Sequence, residues 1–369
     1  MKTKKSPKSK RAKASPAREV PIGPACLVTG AAGFLGHALV RALRERGYVV
    51  HAHDVRPMPE YARDRRIKVF VGDIRDGASV SRAARGCQTV FHTAVAMTLL
   101  GVVKPSLRES TFAINLGGTE NVLRACREAR VRRLVYTSTN TVCFSRGALV
   151  GGDEGRPYTE KYLDVYAASK ALAEKAVLAA DGKDGLRTVS IRPAGLWGPD
   201  ERCYMMKRVI QELAGGKLVA TIGDGKGLAD NTHVVNVVSA ELLAAEKLAS
   251  KPDLVGGKAY FVTDEEPMNL WQWFRPMIEA LGYRLPKWRV PASLMYFIGW
   301  IGEWTHRFGG PRPAMSRLEV HNLTTSFTFK TDRARRDLGY RPVLQHRAGM
   351  EQALPWARGV LAEALAKKA

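Results

Sequence analysis

A glycine-rich turn near the start of the chain constrains the fold more than any other feature of the sequence. Three glycines spaced three residues apart follow a short apolar strand at 26–29 and open a region of helical periodicity at 34–46. In that context the first glycine permits a tight turn, the second lets the backbone approach a pyrophosphate, and the third allows close helix packing. The phosphates then lie at the helix N-terminus. The predicted cofactor-binding residues of this turn are Gly30, Gly33, Phe34, Leu35 and Gly36.

Strands and helices continue to alternate after this turn. Apolar segments typical of strands lie at 48–53, 67–70, 89–92, 134–137 and 188–191, and helical stretches such as 118–129 separate them. Strands joined by helices of this length predict parallel pairing, with helices on both faces of the sheet. The predicted fold class is therefore α/β, a Rossmann-type doubly wound parallel sheet with a smaller C-terminal substrate-binding lobe.

The regular alternation fails after about residue 195, where Gly, Pro and charged residues interrupt shorter elements. We expect three regions along the chain. They are a disordered basic tail at 1–20, a dinucleotide-binding domain at 21–195, and a lobe at 196–369 that mainly binds substrate, with a strand near 259–262 that returns to the sheet.

The charge of the chain is unusual, at +23 over 369 residues. Residues 1–18 hold eight Lys/Arg and no acid, a composition that predicts disorder. Such a tail could contact anionic lipid or nucleic acid, serve as an organelle presequence, or only raise solubility. No nucleic-acid motif accompanies the charge, so we expect no nucleic-acid partner. Five scattered cysteines without ligand spacing predict a reduced, metal-free cytoplasmic protein.

A tyrosine and a lysine four residues apart, Tyr166 and Lys170, lie downstream of the glycine turn. That spacing places both side chains on one face of a helix. A phenol has an ordinary pKa near 10, and a nearby ammonium together with a positive nicotinamide would favour the phenolate. A tyrosine and a lysine at this spacing are common by chance. Downstream of a glycine turn, however, the pair predicts proton transfer.

Other candidate residues follow the predicted strands, where open α/β sheets bind ligands. Asp54 ends the second strand and is placed to bind the adenosine ribose hydroxyls, which favours NAD; Arg56 would favour NADP instead. Thr139, after the fifth strand, offers a hydroxyl to the substrate oxygen. The remaining candidates for the cofactor cleft are Asp73 and Ile74, which could bracket adenine, and Thr93 and Ala94.

Together these residues resemble the extended short-chain dehydrogenase/reductases, over about residues 24–356. Segments that carry the resemblance are 28–36, 72–76, 90–94, 115–122, 135–139, 166–174 and 192–199. The late segments 231–237, 273–276 and 333–340 look most like the 3β-hydroxysteroid dehydrogenase and sterol-4α-carboxylate 3-dehydrogenase branch. Bacterial 3-oxoacid reductases of long-chain olefin synthesis are also similar.

The resemblance implies a role for each matching residue. Tyr166 would be the acid/base, Lys170 its modulator and a ribose ligand, and Thr139 the substrate hydroxyl partner. Asn115 would be a structural or relay residue, and Pro193 to Leu196 would line the nicotinamide. The chain departs from the family pattern at three positions, which are Thr139 for Ser, His233 for an aromatic residue and Val95 for Ala.

The resemblance implies an NAD(P)-dependent oxidoreductase acting on a secondary alcohol or ketone of a large apolar molecule, foremost a 3β-hydroxysteroid or sterol. In a 4-carboxysterol, oxidation at C3 would give a β-keto acid that loses CO2. The alternatives are a 3-oxoacid reductase, a nucleotide-sugar epimerase or dehydratase, and a non-catalytic cofactor-binding sensor or scaffold. NAD is the expected cofactor, with NADP as the alternative.

An apolar stripe lies at helical spacing within 291–308, beside basic residues. Its members are Leu294, Phe297, Ile298, Ile301, Trp304 and Phe308. Such a helix either packs against the core or lies in a membrane interface, and the sequence leaves both interpretations open. No apolar run is long enough to span a bilayer. Expected partners are thus an apolar small molecule, a membrane surface in the second interpretation, and a second copy of the chain in a homodimer.

Overall fold

The computed structural model describes residues 24–97, 105–200, 202–311, 313 and 315–368. The predicted tail at 1–20 lies outside the described residues. The strands are β1 (Ala25–Thr29), β2 (Val49–Asp54), β3 (Ile67–Val71), β4 (Thr89–His92), β5 (Arg133–Thr137), β6 (Leu149–Gly152), β7 (Arg187–Pro193), β8 (Gly195–Trp197), β9 (Thr221–Ile222), β10 (Asn231–His233), β11 (Lys258–Val262), β12 (Arg289–Val290) and β13 (Phe327–Phe329).

Helices connect these strands and form most of the second half of the chain. They are α1 (Phe34–Glu45), α2 (Gly77–Ala84), α3 (Pro105–Phe112), α4 (Gly118–Glu128), α5 (Val165–Ala179), α6 (Tyr204–Ala214), α7 (Val234–Ser250), α8 (Pro252–Val255), α9 (Leu270–Ala280), α10 (Ala292–Arg307), α11 (Arg317–Thr324) and α12 (His346–Ala366). A π-helical turn, Ala113–Gly117, joins α3 to α4.

The central sheet has seven strands in the order β11-β7-β5-β4-β1-β2-β3. Every neighbouring pair is parallel, for example Leu27 beside His51 and Leu27 beside Val90. The predicted doubly wound α/β fold is confirmed. The order of the strands reverses between β1 and β4, and ligands bind in open α/β sheets at such a point, outside the carboxyl ends of the strands.

Each face of the sheet is covered by helices whose apolar residues recur at helical spacing. One face packs against α1 and α7, through residues such as Leu39, Leu43 and Val237. The other packs against α2, α4 and α5, through residues such as Val122 and Val177. Because both faces are buried, the central strands do not alternate between buried and exposed residues, and polar residues within them such as His92 and Ser190 are buried as well.

A separate core holds the C-terminal lobe together. Helices α6, α9 and α12 pack around Trp197 and Trp273, whose rings meet edge to face at 4.8 Å. Phe34, at the start of α1, packs against both this core and that of the sheet. The lobe is therefore anchored directly beside the glycine turn. None of the helices in the described part of the chain is long and apolar enough to cross a membrane.

All five cysteines of the chain are buried and free of disulfide bonds. Burial raises the pKa of the thiols, to about 12 for Cys87 and in the same direction for the others.

Candidate active site

The glycine turn between β1 and α1 is too close to its neighbours to accept side chains. Gly30 has φ +70°, and a Cβ there would lie 2.7 Å from the Cα of Ala94. A Cβ on Gly36 would lie 2.1 Å from the carbonyl oxygen of Gly30. The helix begins at Phe34, and its N-cap, Gly33, supplies no side-chain cap. The N–H groups of the first turn are left available to an anion such as a pyrophosphate.

Asp54, at the end of β2, is turned toward this loop. Its Oδ2 accepts a hydrogen bond from the Ala32 backbone N–H at 3.0 Å. Its Oδ1 accepts from the backbone N–H of Arg56 at 2.9 Å and from the Arg56 Nε at 3.4 Å. The carboxylate is almost fully buried, whereas the guanidinium of Arg56 is 58% exposed. The two groups predicted to compete over the ribose end of a dinucleotide are thus paired with each other.

Thr93 and Ala94 follow β4 and close the crevice at the point where the strand order reverses. The Thr93 hydroxyl donates to the carbonyl of Thr29 at 2.7 Å. Beneath them His92 bridges the Thr29 hydroxyl, at 2.7 Å, and the Thr119 hydroxyl, at 2.9 Å. Burial lowers the pKa of His92 to about 3, and Lys170 acts in the same direction. His92 is therefore a neutral structural residue.

Asp73 and Ile74 both lie beyond the end of the edge strand β3, but their side chains have different surroundings. Both carboxylate oxygens of Asp73 accept hydrogen bonds from Arg75, the shorter at 2.6 Å, and this ion pair lowers the pKa of the carboxyl. The Ile74 side chain is buried, and a Cβ on Gly118 would meet it at 2.7 Å. An adenine role for either residue stays a prediction.

Tyr166 and Thr139 lie together at the carboxyl end of β5. Tyr166 is on the first turn of α5, where the Asp164 side chain caps the helix by accepting from the Ala167 N–H at 2.7 Å. Thr139 caps the short helical turn that follows β5. Burial raises the pKa of the Tyr166 phenol to about 12, against the opposing effect of the Thr139 hydroxyl. The expected lowering of the phenol pKa depends on a bound nicotinamide and stays a prediction.

The ammonium of Lys170 is directed toward β5. The Lys170 Nζ donates to the carbonyl oxygen of Thr137 at 2.5 Å and lies 4.1 Å from the centroid of the Tyr136 ring. Burial lowers the pKa of Lys170 to about 7, although Glu174 and Glu241 act in the opposite direction. Lys170 is thus held by residues of β5.

Two buried carboxylates beneath Lys170 were not identified from the sequence. Glu174 accepts from the Arg192 Nε at 2.9 Å and from the Ser138 hydroxyl at 3.0 Å. Glu241, on α7, accepts from the Thr137 hydroxyl at 2.5 Å, and burial raises its pKa to about 8. The sequence did contain an indication of both carboxylates, since charged residues interrupt otherwise apolar stretches of α5, β7 and α7.

Asn115 is fully engaged by its neighbours. From the π-helical turn, its side chain accepts from the Ala96 N–H at 2.7 Å and donates to the Ala96 carbonyl at 3.0 Å. It also donates to the Ser169 hydroxyl at 2.8 Å, which in turn donates to the Tyr166 carbonyl at 2.8 Å. Asn115 therefore ties the loop after β4 to the helix of Tyr166, an arrangement that fits the structural role among the two predicted for it.

The remaining predicted residues lie on the lobe side of the cleft. Pro193 ends β7 and pairs in register with Val262, and Leu196 is the middle residue of β8. His233, opposite Trp197 in β10, caps α7 by accepting from the Val235 N–H at 3.3 Å. Val95 is partly exposed, at 39%. No group of three or more His, Cys, Asp or Glu side chains suited to a metal ion is found within the described residues.

Comparison with known proteins identifies the family. The sequence profile of the 3-beta hydroxysteroid dehydrogenase/isomerase family matches residues 27–292. A Mycobacterium tuberculosis protein named "3 beta-hydroxysteroid dehydrogenase/Delta 5-->4-isomerase" is 39% identical over 338 residues, which cover 89% of each chain. A Mycolicibacterium neoaurum "3-beta-hydroxysteroid dehydrogenase" is 37% identical, over 89% of this chain and 90% of that protein.

Solved structures agree on the fold. The crystal structure of gox2253 superposes with a TM-score of 0.72 at 27% identity, over 91% of this chain and 98% of that one. MoeE5 in complex with UDP-glucose and NAD gives a TM-score of 0.69 at 27% identity, over 91% and 99%. In the structure the glycine turn precedes α1, Thr139 follows β5, and Tyr166 and Lys170 lie on α5. The chain is an oxidoreductase of the extended short-chain dehydrogenase/reductase type and belongs to the 3-beta hydroxysteroid dehydrogenase/isomerase family.

Proposed function

We propose that this protein oxidises the 3β-hydroxyl group of a steroid or sterol, with NAD as its cofactor. The observation that carries the proposal is the extent of the match: proteins named 3β-hydroxysteroid dehydrogenases match over 89% of this chain, and the family profile, over residues 27–292, includes the whole candidate site. The same fold also serves proteins that bind UDP-sugars, so the fold alone does not select the substrate.

The residues of the glycine turn and of the β2 end fit a nicotinamide dinucleotide. The uncapped first turn of α1 would hold the pyrophosphate, and Asp54 would hold the adenosine ribose. When bound, the nicotinamide supplies the carbon that accepts a hydride, and it also places a positive charge beside the phenol. The Asp54 carboxylate favours NAD, because it repels the 2′-phosphate of NADP.

The protein's own part in the reaction is proton transfer and positioning. The Thr139 hydroxyl and the Tyr166 phenol would bracket the substrate oxygen, with Thr139 fixing its direction and Tyr166 exchanging its proton. Lys170, whose Nζ donates to the Thr137 carbonyl, would bind the cofactor ribose, and the positive charge of the nicotinamide would favour the phenolate form of Tyr166. Asn115 and Ser169 hold the helix that carries the phenol against the loop after β4.

Offering purified protein four substrate classes tests the proposal. With NAD present, a 3β-hydroxysteroid, a 4α-carboxysterol, a long-chain 3-hydroxyacid and a UDP-sugar are compared by reduced cofactor and by product mass. Steroid or sterol turnover is expected, and replacing Tyr166 with Phe should lower kcat about 10³-fold while NADH binding survives. Turnover confined to UDP-sugars or to the 3-hydroxyacid would overturn the proposed substrate. Activity above a tenth of wild type in Tyr166→Phe would overturn the role of the phenol.

A further inference from the structure

Two buried groups of opposite charge contact the same residue from opposite faces of the sheet. Lys170, on α5, is 2% exposed, and Glu241, on α7, is 0% exposed. The Lys170 Nζ donates to the main-chain carbonyl of Thr137, and the Thr137 hydroxyl donates to the Glu241 Oε1, both at 2.5 Å. Thr137 ends β5 and lies between the two helices. It therefore joins a residue of the candidate site to a buried carboxylate that the sequence did not identify.

The charges of these two groups are not matched by closer partners. Glu174, the other acid that acts on Lys170, is paired with Arg192 at 2.9 Å. Among the residues that the structure describes, Glu241 makes no ion pair, and its Oε2 has no hydrogen-bond partner. Lys170 makes no ion pair with any described acid either. Because an isolated buried charge is strongly unfavourable, each group is stable in its charged form only when the other is charged as well.

The other titratable groups around Lys170 are neutral near pH 7. The ring of Tyr136, on β5, faces the Lys170 Nζ at 4.1 Å, and burial raises the pKa of its hydroxyl well above the ordinary value. Burial lowers the pKa of His92, on β4, to about 3 and raises that of Tyr166, on the same helix as Lys170, to about 12. Within the described part of the chain, Glu241 is therefore the acid near Lys170 whose charge no other cation matches.

Both groups can change their charge near neutral pH. Burial lowers the pKa of Lys170 to about 7 and raises that of Glu241 to about 8, while each group opposes the effect of burial on the other. Groups that interact in this way titrate as a pair. When Lys170 gains a proton and Glu241 loses one, the net charge of the pair stays at zero, so no uncompensated charge is left in the core.

The charge of Lys170 decides how many hydrogen bonds it can offer to a cofactor. An ammonium has three N–H donors, and the Thr137 carbonyl occupies one of them, which leaves two for the ribose hydroxyl oxygens. A neutral amine in the same place would have only one N–H left. Binding of the ribose should therefore favour the charged form of Lys170, a consequence that rests on the proposed function.

We propose that Glu241 is a positioning residue for the cofactor, which balances the charge of Lys170 through Thr137 when the ribose binds. The Glu241 carboxylate supplies the negative charge on the α7 side of β5, and the Lys170 ammonium carries the positive charge on the α5 side. The net charge of the pair is zero whether both groups are neutral or both are charged. Cofactor binding near neutral pH should therefore take up no proton from the solvent at this pair.

The dissociation constant of NADH, measured by fluorescence from about pH 7 to about pH 8.5, tests this role. Wild-type affinity should be nearly independent of pH in that range. Glu241→Gln keeps the shape of the side chain and removes its charge, so Lys170 has to take its proton from the solvent, and the affinity should fall about tenfold for each pH unit. The matched control is Glu246→Gln, which breaks a pair with Arg46 on the same helix and should follow wild type.

A second variant tests the link through Thr137 and decides the question if Glu241→Gln does not fold. Thr137→Val removes the hydroxyl that donates to Glu241 and keeps the carbonyl that accepts from Lys170. The Glu241 carboxylate then lacks its donor and is harder to ionise, so NADH affinity should fall with pH as it does in Glu241→Gln. The double variant should be no steeper than Glu241→Gln alone, because both changes break the same link.

Parallel pH profiles in wild type and Glu241→Gln would overturn the role of Glu241. This holds even if the variant binds NADH more weakly at every pH, since a constant loss is what a purely structural residue produces. A wild-type profile in Thr137→Val would overturn the link through Thr137. Wild type that binds neither NADH nor NADPH would refute the proposed cofactor and this role together, whereas wild type that binds NADH but oxidises no steroid would refute the proposed substrate alone.

Discussion

Breaking the ion pair between Glu174 and Arg192 by removing one of its charges is expected to destabilise the fold strongly, because both side chains are almost completely buried. Their exposed fractions are 0% and 4%, and the Arg192 Nε lies 2.9 Å from the Glu174 Oε1. At that distance and an effective dielectric constant of about 20, the attraction is about 6 kcal/mol. Burial alone would lower the pKa of Arg192, but Glu174 together with Cys143 and Tyr158 raises it overall.

Replacing Glu174 with Gln keeps the shape of the side chain and removes its charge. The guanidinium of Arg192 then remains buried without a counter-charge, a change that costs about 3–5 kcal/mol in buried pairs. The free energy of unfolding, measured with urea, should fall by that amount while its dependence on urea concentration stays the same. The matched control is Glu351→Gln, which breaks an exposed pair with Arg347 and should cost less than about 1 kcal/mol.

A double variant tests whether the uncompensated charge is the cause. Glu174→Leu with Arg192→Met replaces the pair by apolar side chains and should be more stable than Glu174→Gln, because no lone charge is left in the core. The reasoning fails if Glu174→Gln lies within about 1 kcal/mol of wild type. It also fails if the double variant is the least stable of the three.

Two further predictions concern the charged groups of the site. Asp54→Asn should bring the ratio of kcat/KM for NAD to kcat/KM for NADP closer to one, because the carboxylate that repels the 2′-phosphate is lost. Steady-state kinetics measures this ratio, and an unchanged ratio would mean that Arg56 sets the cofactor preference. Lys170→Met should be more stable than wild type at pH 7, and this difference in stability should shrink as the pH rises to about 10.5. The reason is that folding lowers the pKa of Lys170 from 10.5 to about 7. Between those pH values the unfolded wild-type chain binds one more proton at Lys170 than the folded chain, so wild-type stability rises with pH. Urea unfolding across that range checks the trend, and an advantage that is independent of pH would contradict it.

The sequence predicted the sheet well because each strand is a short apolar run between helices. The strand predicted at 89–92 is β4, and those predicted at 26–29 and 67–70 each differ from β1 and β3 by one residue. These positions follow from local pattern alone, since a parallel sheet buries both faces of its strands. Pairing in register then places their carboxyl ends at one edge.

The sequence identified candidate site residues but could not show their contacts. The spacing of Tyr166 and Lys170 fixed their shared helix face, yet the sequence could not show that the ammonium reaches the Thr137 carbonyl, which lies on another element. For the same reason Asp54 was identified as a strand-end carboxylate, while its bond to the Ala32 N–H depends on how closely two loops approach. Contacts between distant segments are set by packing, and a local pattern contains no information about them.

The orientation of α10 shows a similar limit. Its periodicity predicted a helix with an apolar stripe, and a helix over Ala292–Arg307 is found. The stripe is exposed, as at Phe297, so the interpretation that it packs against the core is wrong. Which side faces the protein is decided by Gly299, Glu303 and Arg317, whose close contact is made across two elements. A stripe of apolar residues indicates that something apolar covers the helix, but not whether that is the core of the same chain.

The burial of all five cysteines makes the folded chain suitable for site-specific labelling. Each thiol is inaccessible and has a raised pKa, so thiol-reactive reagents find little native thiolate to attack while the chain is folded. A cysteine introduced at an exposed position, for example Ile298, would then be the preferred reaction site without removal of the native ones. An environment-sensitive dye attached there would report whether the exposed surface of α10 stays in water or becomes covered, and the same dye at Val343 would provide the solvent-exposed reference.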